Sequence, residues 1–169
     1  MSDYEKNSML RLITWLYLLF VALLFVVTLV GFIAHTGFDY KTIVEAYLGK
    51  QGPFGGTPPR SLRVMLEITH PHIFAYGVLL FMLSHLLFFV PMRRSIKATL
   101  VVVVFFSALL EEGSGWLVRF VHPVFAYLKI ASFVVFQLSL AVLLVTLARA
   151  LMRGGALGHM SQAPGVHKK

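Results

Sequence analysis

The chain has 169 residues, of which 58% are hydrophobic and 13% charged, with Cys 0. A soluble domain of this length is roughly half apolar and a quarter charged, so a disordered chain, a disulfide-stapled secreted domain and a typical soluble enzyme are excluded. Without Cys, covalent c-type haem attachment, iron–sulfur clusters and thiolate zinc are excluded as well.

The net charge of +8 reads, in so apolar a chain, as basic residues at membrane edges and not as a nucleic-acid surface. Four stretches reach the about 20 apolar residues that a membrane-crossing helix needs. They cover about residues 9–33, 64–90, 96–120 and 123–148. The expectation is therefore an all-α integral membrane protein, a four-helix up-down-up-down bundle forming one domain over residues 1–153.

The first span is too long for a signal-peptide core and lacks a small-residue cleavage site, so it reads as a retained anchor. Lys6 and Arg11 precede it, Arg93, Arg94 and Lys97 fill the link between the second and third spans, and Arg149 and Arg153 follow the fourth. Counted by the positive-inside rule, both termini lie in the cytoplasm, as in a multi-pass protein of a bacterial inner membrane. Trp15 and Trp116 sit where interfacial anchors belong.

Residues 36–61 then form an outer loop whose GKQGPFGGTPPRS run argues against regular structure. A loop of that length suits a docking surface for a partner. The tail over residues 154–169 is Gly-rich and polar, hence expected to be flexible, and His159 and His167 within it are given no role.

With its start at either Val64 or Pro71, the second helix is read as opening with His70-Pro71-His72-Ile73-Phe74-Ala75-Tyr76, and the fourth opens with His122-Pro123-Val124-Phe125-Ala126-Tyr127. Aligned as a weak repeat, both segments begin on the outer side and place a His at one depth. Spans two and four of such a bundle are parallel and diagonal, so their imidazoles are expected to face each other across the core. His35, His70, His72 and His122 fall at the outer edge, and His85 alone lies in an inner half.

Clustered imidazoles without Cys suit a low-spin haem b, which takes one neutral imidazole on each face. His70 and His122 are the favoured axial pair, with His72 and His35 as alternates, and Arg60, Arg63 and Arg119 stand where propionates want cations. His85 lies about 22 Å along the helix from His70, a spacing suited to a second haem. It has no partner His at its depth, so one outer haem is expected and an inner one stays open.

In its outer His-Pro-His, the downstream His85 and the four-span layout, the chain resembles small four-helix membrane b-type cytochromes. That resemblance implies a subunit passing electrons between the quinone pool and a peripheral redox protein, such as a periplasmic cytochrome. The unpaired inner His85 departs from the usual two-haem pattern.

Glu111, Glu112 and Lys129 are the costly charges inside the spans. With a turn near Val121, Glu112 and Lys129 reach the same depth and are expected to pair. One carboxylate is then left over, and Glu111 or Glu112 becomes the candidate acceptor of protons released by quinol.

Glu67-Ile68-Thr69-His70 is a Glu-x-x-His, open to a non-haem iron, copper or zinc site, although Glu67 also stands four residues after Arg63 as a helical ion pair. The alternatives to a quinol-linked cytochrome subunit are thus a cofactor-free anchor or assembly subunit of a larger complex and a non-haem metal site. Homo-oligomers fit either membrane role.

Overall fold

The computed structural model describes residues 8–50, 52 and 55–160, with side chains described as far as residue 153. Among the described residues five helices follow in order: α1 (Ser8–His35), α2 (Tyr40–Leu48), α3 (Leu62–Phe88), α4 (Arg94–Phe120) and, after a 3-10 turn at Pro123–Phe125, α5 (Ala126–Met160). All but α2 are long and apolar enough to cross a membrane, and no strand occurs among the described residues. The four-helix membrane bundle is as expected. The backbone of α5 runs to Met160, into the segment expected as a flexible tail, and residues 161–169 lie outside the described residues.

The segment between α1 and α3 contains the helix that Gly and Pro content conceals. Gly37, at φ 67°, ends α1 in a conformation open to glycine and donates its N–H to Phe32 O at 2.8 Å. Asp39 then caps α2, its Oδ2 accepting from Thr42 N at 3.2 Å. After α2, Lys50 and Thr57 exchange backbone hydrogen bonds of 3.1 and 3.0 Å, and Arg60 N donates to Tyr47 O at 3.1 Å. The loop is thereby fastened onto α2. Gly49 at φ 81° permits this fold-back, because an added Cβ would stand 2.2 Å from Thr57 O.

Lipid tails are as apolar as the bundle's own side chains, so association rests on close packing and interhelical hydrogen bonds. One apolar cluster joins Leu18 and Val21 of α1, Leu79, Leu80 and Leu83 of α3, Val104 of α4 and Phe136 and Leu140 of α5. Tyr17 Oη donates to Leu79 O at 3.0 Å, Gln137 Nε2 to Thr28 Oγ1 at 3.1 Å, and the rings of Phe32 and Phe133 stack at 3.7 Å. A second cluster lies at the end of the bundle that bears α2, hereafter the loop end. There Ile43 and Tyr47 of α2 are wedged among Met65, Val118 and Ala126, one from each of α3, α4 and α5.

Candidate site: a buried charge layer at the loop end

Three segments bring charged side chains to one level. Glu111 stands nine residues before the end of α4, Lys129 six after Pro123 and His72 ten after Leu62. At 1.5 Å per residue these positions are about 14, 9 and 15 Å from the loop end of the bundle. Glu111, Glu112 and Lys129 are all buried.

The pairing differs from expectation. Lys129 Nζ donates to the carboxylate Oε1 of Glu111, and to Glu111 O at 2.8 Å. Glu112, expected to hold Lys129, instead receives His72 Nδ1 on its Oε1 at 2.9 Å. Adjacent helical residues point about 100° apart, so the two carboxylates serve opposite neighbours, α5 and α3. Depth alone does not separate them; azimuth does. Glu111 Oε2 is buried with no hydrogen-bond partner among the described residues.

His72 joins this layer to the bundle's outer face. Its side chain is 50% exposed, whereas that of Glu112 is 9% exposed. The imidazole stacks on Tyr76, with centroids 5.8 Å apart and planes at 11°. One turn nearer the loop end, Trp116 Nε1 donates to Thr69 Oγ1 at 2.8 Å, closing the α3–α4 seam beside it.

Helix α2 covers the layer from the loop end. Tyr47 is buried against Gly115, where an added Cβ would meet the Tyr47 Oη at 2.7 Å. Arg60 lays its guanidinium over the Tyr47 ring at 4.5 Å, and Arg119 Nε donates to Arg60 O at 2.6 Å. Arg119 thus fastens the loop through its Nε.

His35, His70, His72, His85 and His122 are all exposed. His122 caps the 3-10 turn, its Nδ1 accepting from Val124 N at 3.1 Å. His70 lies well inside α3, because Ser61 caps that helix nine residues earlier, its Oγ accepting from Val64 N at 3.3 Å. The two His-Pro pairs therefore occupy different places in their helices, one interior and one at a helix start.

Against α2, the loop end of the bundle is packed by Ile43, Tyr47, Met65, Val118 and Ala126. His85 lies among Phe81 and Phe89, at ring distances of 6.3 and 5.7 Å. Arg63 Nε is 2.7 Å from Glu67 Oε1, the helical ion pair that the spacing allows. No group of three or more His, Asp and Glu among the described residues could hold a metal ion.

Fold and charge layer together define an all-α, multi-pass membrane bundle in contact with lipid. Residues 37–156 match the family Aq_1264_TM, described as a transmembrane helical domain, and the chain belongs to that family. Comparison with curated proteins and with solved structures finds no match.

Proposed function

We propose that this protein is the membrane-embedded subunit of a larger oxidoreductase and supplies a proton-accepting site inside the bilayer. The observation that carries this is the His72 Nδ1–Glu112 Oε1 contact of 2.9 Å, which ties a half-exposed imidazole to a buried carboxylate. The Glu111–Lys129 pair suffices to hold α4 against α5. A second buried carboxylate aimed at an accessible ring adds desolvation cost without adding a further α4–α5 contact. An imidazole backed by a carboxylate accepts a proton readily, because the resulting cation faces a fixed negative charge.

The electron-carrying group belongs, on this view, to a partner subunit docked on α2 and the 49–61 loop. His35, His70, His72, His85 and His122 are all exposed and none is enclosed in the bundle core, which favours the subunit role over a self-contained b-type cytochrome. The flanking Arg93, Arg94, Lys97, Arg149 and Arg153 support cytoplasmic termini and an inner-membrane location, with the charge layer in the outer leaflet.

Nitrogen NMR of the His-labelled protein in nanodiscs tests the site. His72 Nε2 is expected to gain a proton reversibly as the sample is acidified. A ring that stays neutral throughout contradicts the proposal. A reduced-minus-oxidised visible spectrum decides the haem question, and sharp haem bands from the isolated chain would overturn the assignment of electrons to a partner.

A further inference from the structure

We infer that the face around His72 binds the headgroup of a membrane-dissolved quinol, a ring hydroxyl donating its hydrogen bond to His72 Nε2. Resting on the proton-accepting role proposed above, this names both the ligand class and the redox form that the site selects.

The selection follows from hydrogen-bond bookkeeping. An ionised carboxylate only accepts, so the nitrogen 2.9 Å from Glu112 Oε1, His72 Nδ1, is the one carrying hydrogen. In the neutral ring the other nitrogen, Nε2, then has a lone pair and no proton. A ligand must therefore bring a donor. The reduced ring brings a hydroxyl, whereas the oxidised ring presents carbonyl oxygens and meets lone pair with lone pair. Binding itself moves no electron. Later transfer of the hydroxyl proton would break its O–H bond, form N–H at Nε2 and leave an imidazolium beside Glu112.

Depth and surroundings narrow the ligand further. Helix α3 has 27 residues, about 40 Å against a hydrocarbon core of about 30 Å, so His72 lies about 10 Å beneath the core boundary. A phospholipid headgroup does not reach that level, and a water-soluble ligand does not reside there. Flat side chains stand to either side: Tyr76, parallel to the imidazole, and Trp116, held by Thr69. Ala75, exposed on the following turn, leaves the approach open. A planar ring with a hydroxyl is the membrane-soluble shape that uses all of these.

The full-length protein in phosphatidylcholine nanodiscs, with empty nanodiscs as the partitioning blank, is incubated with radiolabelled ubiquinol bearing a single isoprene unit. Wild type is expected to bind it about tenfold more tightly than the matching quinone, the effect of one good hydrogen bond against none. His72→Phe is expected to lose that preference and most of the binding. His85→Ala, on the same helix, retains both. Diacylglycerol, a hydroxyl lipid without a ring, is expected not to compete.

Where His72→Phe fails to fold, the wild-type nitrogen spectrum decides, since ubiquinol shifts the Nε2 resonance and leaves that of His85 in place. Quinone bound as tightly as quinol, undiminished binding by folded His72→Phe, equal competition by diacylglycerol, or an unmoved Nε2 resonance each overturns the inference. If His72 takes protons with acid yet ignores ubiquinol, the proton-accepting role stands and the quinol assignment falls. If it does neither, both fall.

Discussion

Lys129 reaches Glu111 across the α4–α5 seam while Glu112, the next residue, turns to His72 on α3. Two consecutive carboxylates thus join three helices at one level of the bundle. Their roles differ, since one neutralises a buried cation and the other backs an accessible base.

Lys129→Met should be among the most damaging single changes. It leaves Glu111 buried with no cation, and breaking one side of a buried pair typically costs about 3–5 kcal/mol. Glu111→Leu combined with Lys129→Met should recover most of that loss, because it removes both charges together. Denaturant unfolding in micelles measures the cycle. Equal stability of wild type and Lys129→Met would remove the pair from the account.

Glu112→Gln separates the second carboxylate from the first. It keeps shape and leaves Glu111–Lys129 in place, so stability is expected to change by about 1 kcal/mol or less. The amide can either donate to or accept from Nδ1, so the tautomer of His72 is no longer imposed. Nitrogen NMR should show the His72 ring as a mixture of its neutral forms, where wild type shows one.

Two glycines in one helix should respond oppositely to alanine. A Cβ on Gly113 meets nothing within 4 Å, so Gly113→Ala is expected to stabilise α4 by about 0.5–1 kcal/mol through helix propensity. A Cβ on Gly115 would lie 2.7 Å from the Tyr47 Oη and 2.9 Å from its ring. Gly115→Ala should therefore lift α2, at a cost of about 1–3 kcal/mol for overpacking. Hydrogen exchange read along residues 40–48 checks this, with faster exchange expected only for the Gly115 variant.

Gln137 and Thr28 test how much polar glue the α1–α5 contact needs. Hydrogen bonds between membrane helices average about 0.6 kcal/mol in mutant cycles, so Thr28→Val should cost about that much. Gln137→Leu should cost less, because it also removes the buried Oε1 that has no hydrogen-bond partner among the described residues. Unfolding of both single variants and the pair gives the coupling directly.

The spans were legible because membrane helices announce themselves by length and hydropathy: the ends of the first three differ from expectation by at most two residues, whereas α5 runs on past residue 148 to Met160. Helix α2 carries a signal of another kind, which the loop reading passes over. Asp39 is a capping residue, and Tyr40, Ile43, Val44 and Tyr47 recur at helical spacing. The Gly and Pro residues just after it drew the whole segment into the loop class. The charge layer was half legible: equal depth followed from counting residues, whereas choosing between Glu111 and Glu112 required the rotation of α4 about its axis. The two His-Pro pairs differ for a related reason. His70 and His122 look alike in sequence, but Ser61 starts α3 far upstream of the first while the second is itself a cap.

Whether the imidazole of His72 faces the bilayer interior is open to direct measurement with spin-labelled lipids. A nitroxide on the upper acyl chain should broaden the His72 resonances of the nanodisc-embedded protein strongly, while a water-soluble gadolinium chelate leaves them sharp. The reverse pattern, sharp with the lipid label and broadened by the chelate, would put that ring in water and contradict a base that serves the membrane phase.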